Sequence, residues 1–224
     1  MKFNHLVRRL VRSIKTKGML FTMKRIFIIS KRNLFQNRSI IYCADLNSLE
    51  YDKVELPKNY CIEVICKEEE LSKNKLYQLS KYRPKETLKL QFQERFHKGA
   101  VLWLMMISDI VVGFHWSVTG QPIKQYFFSF PCKDTLLFDS EIFTEFRGRG
   151  LNPLLIDYIM CNLKKQGVSR VYIDIRMWNA ANIRSITKTR FKKIGVAKKI
   201  VVLGKVFVIW YEMIDSALFK VNQD

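Results

Sequence analysis

The sequence predicts a mixed α/β domain in which a mainly antiparallel sheet contains one parallel strand–helix–strand crossover. Two observations carry this prediction. β-rich segments alternate with helical ones from Tyr60 to Met213, and the order ends in strand, helix, strand, helix and hairpin. A basic glycine turn at 147–150 joins one of those strands to a leucine-rich helix. Strand, helix and strand in succession form a parallel crossover, whereas hairpins are antiparallel.

Length and composition are those of a globular protein with one substantial core. The chain has 224 residues, 48% of them hydrophobic. We expect a basic N-terminal extension over residues 1–54, the folded domain over 55–215 and a C-terminal tail over 216–224. The net charge is +19, and residues 1–44 hold 11 Lys or Arg and no Asp or Glu. The extension therefore needs an explanation of its own.

Residues 5–15 of this extension have the pattern of a basic amphipathic helix. One helical face is apolar and the other is basic; the apolar residues are Leu6, Val7, Leu10, Val11 and Ile14. The pattern is typical of a segment that lies on an anionic membrane, so residues 1–38 are a candidate for such a contact. Packing on the protein itself or on another subunit stays an alternative. Nucleic acid is the least favoured partner, because no base-reading motif accompanies the charge.

Cysteine and histidine usage indicates a cytoplasmic protein without a metal site. The five cysteines are scattered and form no C-x-x-C pair, which favours reduced thiols. His5, His97 and His115 have no partner at metal-ligand spacing. The most apolar later segment, 101–118, contains Asp109 at its centre, so we interpret it as a hairpin and not as a membrane span.

Hydrophobic periodicity, together with Gly and Pro residues that interrupt it, predicts the helices and strands. We expect an irregular segment over 39–58 and then a strand over 60–66. Two helices follow between 67 and 98, with a break at Arg83-Pro84. After them we expect a hairpin of 100–108 with 110–118, and strands over 126–130 and 134–144. After the glycine turn we expect a long helix, a strand over 171–176, a helix over 180–189, and a closing hairpin of 194–203 with 205–213 that turns at Gly204.

The turn at 147–152 has the features of a phosphate cradle. Gly148 and Gly150 have no Cβ, so a ligand can come close to the backbone. Asn152 and Pro153 suit an N-cap and a first helical position. Free N–H groups at a helix start, with the positive end of the helix dipole behind them, favour a pyrophosphate. The alternative is an ordinary glycine-rich turn.

Arg147-Gly-Arg-Gly-Leu-Asn152 resembles the R/Q-x-x-G-x-G/A acetyl-CoA loop of the GNAT (GCN5-related N-acetyltransferase) superfamily. The segment from Asp174 to Phe191 resembles the second signature of that family. The order and separation of the two motifs are more specific than either motif alone. The resemblance covers about 60–213 and is strongest in 135–191. It implies a sheet that is splayed into a cofactor cleft, acetyl-CoA as co-substrate, and transfer of an acetyl or other acyl group to a primary amine.

The resemblance also implies site residues. Asp174 is the first candidate for the base that takes the proton of the amine, and Glu141 is the second. The cofactor contacts that it implies are Ile142, Phe143, Thr144, Arg147, Gly148, Arg149, Gly150, Leu151, Asn152, Asn179, Asn182 and Lys188.

Three positions depart from the family pattern. Asn152 replaces the usual small last residue of the loop, where it either crowds the phosphate or caps the helix. Arg190 stands where the family has glycine. Ile186 stands where many members have the tyrosine that protonates the leaving thiolate, so water or another residue, such as Tyr211 or Tyr172, would have to serve.

The acceptor is not defined by these motifs. An amino-sugar or an intermediate of surface polysaccharide is our expectation for a cytoplasmic enzyme at the inner face of the membrane. The rival hypotheses are a non-catalytic CoA-binding protein of the same fold and a basic protein that binds nucleic acid or an anionic membrane.

Overall fold

The computed structural model describes residues 18–24, 37–48, 54–203 and 205–214. Residues 19–24 are helical. The strands of the described part are β1 (Arg38–Asp45), β2 (Tyr60–Ile65), β3 (Val101–Ile107), β4 (Ile110–Thr119), β5 (Thr135–Ile142), β6 (Arg170–Arg176), β7 (Lys192–Val202) and β8 (Lys205–Met213). Its main helices are α1 (Lys73–Ser80), α2 (Lys85–His97), α3 (Leu151–Lys165) and α4 (Ala180–Ile186). Short 3₁₀ turns cover Glu68–Glu70 and Thr144–Phe146.

All eight of these strands form one sheet in the order β2-β3-β4-β5-β6-β1-β7-β8. β5 and β6 are parallel and are joined through α3, and the other neighbouring strands are antiparallel. The predicted mixed fold with one parallel crossover is therefore confirmed.

Most predicted elements are present with bounds that differ by a few residues. The two helices on either side of Arg83-Pro84, the hairpin of β3 and β4, and the series β5, α3, β6, α4, β7 and β8 all agree with the sequence pattern. The predicted helix at 5–15, the turn at Gly204 and the tail at 216–224 lie outside the described residues. Within the described ranges, no helix is long and apolar enough to span a bilayer.

The prediction of an irregular segment at 39–58 is wrong for its first part. Arg38–Asp45 forms β1, which lies between β6 and β7. Its residues are buried on both faces of the sheet, so the sequence reads as a continuous apolar run without the alternation that marks a half-buried strand. β1 belongs to the range 1–54 that we expected to be an extension, and the rest of that division stays a prediction.

The prediction of a strand at Tyr126–Phe130 is also wrong. This segment is a loop that crosses one face of the sheet. The Phe128 and Phe130 rings contact the Tyr172 ring of β6 edge-on, at centroid distances of 5.2 and 5.3 Å. Aromatic packing onto the sheet thus takes the place of strand pairing in this segment.

The core has one layer on each face of the sheet. On one face, α1, α2 and the aromatic loop pack in a cluster that includes Leu79, Phe92 and Tyr172. On the other face, α3 and α4 pack in a cluster that includes Leu155 and Ile173. Since α3 connects the two parallel strands, its N-terminus lies at the end of β5, and the candidate site forms there.

Candidate active site

The cleft begins where β5 separates from β6. The two strands pair only over Thr135–Leu137 and Val171–Ile173, although β5 continues to Ile142. The separation coincides with a bulge, since two β5 residues, Asp139 and Ser140, lie opposite one residue of β4. Asp139 has a φ of 45°, which few residues other than glycine adopt. A splay of this kind exposes backbone groups to a ligand that a closed sheet would pair.

The glycine turn presents a set of unpaired amides at the start of α3. Gly148 and Gly150 have φ values of 81° and 73°, and a Cβ at either would meet no protein atom within 4 Å. No described residue accepts a hydrogen bond from the backbone N–H groups of five consecutive residues, 148–152. Successive free amides in a turn with left-handed residues, at the positive end of a helix dipole, favour an anion.

Asn152 is not the N-cap that we predicted. Gly150 takes that position, and α3 begins at Leu151. The Asn152 Nδ2 instead donates to the Ser185 Oγ of α4, at 2.8 Å. Its side chain therefore joins α3 to α4 and neither caps the helix nor occupies the centre of the turn.

The turn, the end of β5 and α4 enclose one cleft of about 770 Å³. Nine of the twelve predicted cofactor residues line it: Ile142, Arg147, Gly148, Gly150, Leu151, Asn152, Asn179, Asn182 and Lys188. The remaining three do not. Phe143 is buried and stacks on Tyr82 with ring centroids 3.5 Å apart. Thr144 is exposed at the start of a 3₁₀ turn, and the Arg149 guanidinium lies 5.6 Å from the Phe146 ring centroid.

Sequence reasoning missed most of the contribution of α4. Its residues Ala181, Arg184 and Ser185 line the cleft, as do Thr187 after the helix and Ser140, Phe146 and Pro153 elsewhere. The sequence did contain a signal for this contribution. Ile186 is the buried residue of α4, and polar residues of the same helix separate it from the preceding apolar position, which is the pattern of a helix with one face away from the core. Asn179 caps α4 by accepting a hydrogen bond from the Asn182 amide at 3.2 Å.

Comparison with known proteins supports the fold. No protein-family model and no curated protein matches the sequence. Among solved structures, a GNAT-family acetyltransferase from Colwellia psychrerythraea aligns with a TM-score of 0.52 at 11% identity, over 79% of this chain and 56% of that one. A tandem GNAT protein from the clavulanic acid biosynthesis pathway aligns at 0.50 and 15% identity, over 71% and 51%.

The chain has the GNAT fold. A GCN5-related glucosamine N-acetyltransferase region of a fungal β-N-acetylglucosaminidase also aligns, with a TM-score of 0.50 at 13% identity, over 78% of this chain and 22% of that one. This chain thus spans about half, or less, of the length of these matched structures.

Within this GNAT fold, the two predicted carboxylates lie in different places. Glu141 lines the cleft, whereas Asp174 does not. Asp174 lies half-buried on β6, opposite Ile41 of β1. Burial lowers the pKa of Lys199, and the charge of Asp174 opposes that shift. Asp174 therefore interacts with a lysine under the aromatic loop, and Glu141 is the carboxylate at the cleft.

An arginine from the α1–α2 turn holds the β5 bulge. The Arg83 guanidinium donates to both carboxylate oxygens of Asp139, at 2.8 and 2.9 Å. It also donates to Glu141 Oε2 through Nε and Nη2, at 3.2 and 3.0 Å. Arg95 of α2 lies 2.6 Å from Asp139. Burial would raise the pKa of Asp139, but the bonds and charges of Arg83 and Arg95 outweigh it and lower this pKa. The network orients Glu141 and ties the bulge to the helical face.

The tyrosine alternatives do not reach the cleft. Ile186, at the position of the usual GNAT tyrosine, is a fully buried core residue. Tyr172 is fully buried under the aromatic loop, and burial raises its pKa strongly. Tyr211 is exposed on β8, where the Arg38 guanidinium lies 3.6 Å from its ring centroid. Neither tyrosine lines the cleft.

Arg190 occupies the family's glycine position without backbone strain. The described non-glycine residues with positive φ are Ser108, Asp139 and Leu203, so Arg190 has an ordinary backbone. Burial raises the pKa of Asp157, and the positive charge of Arg190 opposes that shift. In the described part of the chain, no group of three or more His, Cys, Asp or Glu could hold a metal ion.

His115, next to the bulge on β4, is expected to make folding stability depend on pH. It is fully buried, Nδ1 lies 3.3 Å from the Trp116 carbonyl oxygen, and burial lowers its pKa to about 4. Below pH 6.5 the unfolded chain binds a proton that the folded chain excludes, so stability falls as pH drops towards 4. Urea unfolding should show a loss of about 2 kcal/mol between pH 6.5 and 5. The variant His115→Leu should lose this dependence and the exposed-site control His97→Gln should keep it; equal slopes in all three proteins would contradict the assignment.

Proposed function

We propose that the protein transfers an acetyl group, or another acyl group, from coenzyme A to a primary amine. One observation carries the proposal: a single cleft joins the free amides of the glycine turn to the splay between β5 and β6. The likeness in fold to GNAT acetyltransferases supports the reaction class.

The residues at the turn fit the phosphate end of coenzyme A. The five amides at 148–152 are donors for a pyrophosphate. Arg147, Arg184 and Lys188 line the same cleft and add positive charge. From there, the separated edges of β5 and β6 provide a path for the pantetheine arm towards Glu141. Coenzyme A supplies the thioester when it is bound.

The reaction is a direct acyl transfer. The amine nitrogen bonds to the acyl carbon, the carbon–sulfur bond breaks, and the ammonium proton goes to a base. We assign the base to Glu141, because its Oε2 is fixed by Arg83 while the side chain lines the cleft. The thiolate takes its proton from water, since no tyrosine of the described residues lines the cleft. Holding both reactants in one cleft supplies much of the rate enhancement.

Replacement of each of the two carboxylates by its amide should separate their roles. The variant Glu141→Gln is expected to lower kcat at neutral pH by about a hundredfold, within the usual range for removing a general base. Raising the pH should restore part of the rate, because the amine then arrives neutral. Asp174→Asn should change kcat little, since Asp174 does not line the cleft. A large pH-dependent loss in Asp174→Asn with a normal Glu141→Gln would move the base to Asp174.

Binding and turnover should be measured together. Acetyl-CoA should raise the melting temperature of the protein, and an amine panel should include amino-sugars and their nucleotide-linked forms, because one solved structure of similar fold is described as a glucosamine N-acetyltransferase region. Release of free thiol with one amine supports acyl transfer. Stabilisation without thiol release from any amine or acyl-CoA favours the CoA-binding rival. The absence of stabilisation refutes the cofactor assignment.

A further inference from the structure

A continuous apolar strip runs along the β7–β8 hairpin. Alternate β8 residues, Phe207, Ile209 and Tyr211, are between 43% and 52% exposed. The residues between them, Val208 and Trp210, pack against the core instead. The strip continues to the hairpin tip, where Val202, which pairs opposite Lys205 on this face, and Leu203 at the turn are 50% and 99% exposed. Contiguous exposure of this kind marks a contact surface, whereas single exposed apolar residues do not.

Positive charge borders the strip. Residues 192–213 contain five lysines and one glutamate. The glutamate, Glu212, is paired with Lys193 at 2.6 Å. Lys198 pairs opposite Ile209, so both point to the strip's face, and Lys205 lies at the tip. The Arg38 guanidinium covers the Tyr211 ring on the same face. A basic border around an apolar surface matches an anionic lipid headgroup layer above acyl chains.

We propose that the β7–β8 hairpin docks on an anionic membrane surface. In this contact, Leu203 and Val202 enter the acyl region at the tip, and Lys198 and Lys205 meet the headgroup phosphates. A second segment has the same character, because helical residues 19–24 expose Met19, Leu20, Phe21 and Met23 at 49% to 85%. The proposal does not depend on acyl transfer, since no strip residue lines the cofactor cleft.

Charge and the aliphatic tip residues disfavour three other binding partners for the strip: a second copy of the chain, the N-terminal segment and nucleic acid. A second copy would bring the lysines of two hairpins together, and like charges repel. The N-terminal segment of the same chain is itself basic, with 11 Lys or Arg and no acidic residue in residues 1–44. Nucleic acid would suit the lysines but offers no apolar phase for aliphatic tip residues. A lipid surface satisfies both the charge and the aliphatic side chains.

Vesicle sedimentation of the full-length protein tests the proposal. Vesicles of phosphatidylcholine with phosphatidylglycerol should bind the protein, and phosphatidylcholine alone should not. The double variant Val202→Ser/Leu203→Ser should bind about a hundredfold more weakly, at about tenfold for each aliphatic side chain. The variant Lys198→Gln/Lys205→Gln should lose about tenfold. The matched control is Leu90→Ser on α2, where a leucine is 69% exposed away from the hairpin.

Several outcomes would overturn the proposal. Wild-type binding by both tip variants would place the membrane contact elsewhere, and loss of binding only after deletion of residues 1–17 would assign it to that segment. Vesicle binding that rises when residues 215–224 are deleted would identify that tail as a competing cover of the strip and would support an exposed hairpin contact. A concentration-dependent dimer that the tip variants dissociate, without vesicle binding, would identify a second copy. Stabilisation by CoA should be the same in all tip variants, which keeps this test separate from the proposed function.

Discussion

The variant Gly150→Ala is expected to bind coenzyme A about a hundredfold more weakly than the wild-type protein. Gly150 has a φ of 73°, where a Cβ is strained, and it lies in the row of free amides that line the cleft. A methyl group there crowds the phosphate, and a shift of the turn misdirects its amides. Each hydrogen bond to a charged group is worth about 1.5–3 kcal/mol, so the loss of one or two accounts for the expected change. Isothermal titration with coenzyme A measures it.

The matched control for this variant is Gly167→Ala. Gly167, after the other end of α3, has a φ of 80° and also has no protein atom within 4 Å of an added Cβ. Both variants therefore carry the same kind of backbone strain, but Gly167 is not part of the cleft. Equal loss of affinity in the two variants would mean that general destabilisation explains the effect, and normal affinity in Gly150→Ala would remove the turn from the site.

The variant Arg83→Met should lower the free energy of unfolding by about 2–4 kcal/mol, because two partly buried carboxylates lose their shared partner. Asp139 keeps Arg95, which limits the loss, while Glu141 keeps, among the described residues, only Arg147, at 3.8 Å. Methionine places an uncharged side chain of similar length beside Phe114, over whose ring the Arg83 guanidinium lies at 4.7 Å. Urea unfolding measures the change, and the double variant with Asp139→Asn should lose much less than the sum of the single variants.

Two comparisons check this interpretation. Lys193→Met breaks an exposed pair with Glu212 and should cost less than about 0.5 kcal/mol. The pKa of Asp139 is lowered from an ordinary value of 3.8. The ionised carboxylate therefore stabilises the fold fully above pH 3.8, and this stabilisation is lost as pH falls through the folded-state pKa. The difference between wild type and Arg83→Met should therefore shrink in acid. An equal difference at pH 7 and in strong acid would mean that lost packing, not charge, explains the effect.

Strong local patterns predicted most of the elements. The stripe of α3, the break at Arg83-Pro84 and the β3–β4 hairpin each follow from spacing or turn residues within a few positions. β1 and the aromatic loop could not be predicted in this way. β1 is buried on both faces, so its sequence lacks the alternation that marks a half-buried strand. The aromatic residues of the loop have high strand propensity, but in the structure they pack across the sheet. In both cases, the deciding contacts come from residues that are distant in sequence.

The glycine turn, the helix that follows it and the parallel crossover could all be predicted from the sequence. These features depend on residues that are adjacent along the chain, where backbone sterics and periodicity act. Three features could not be predicted from the sequence: Glu141 and not Asp174 lines the cleft, Asn152 joins α3 to α4, and Arg83 holds the bulge. The bulge at Asp139 sets the directions in which the β5 side chains point. The bulge depends on pairing with β4 and on helices that pack on the sheet, and no local sequence pattern encodes these contacts.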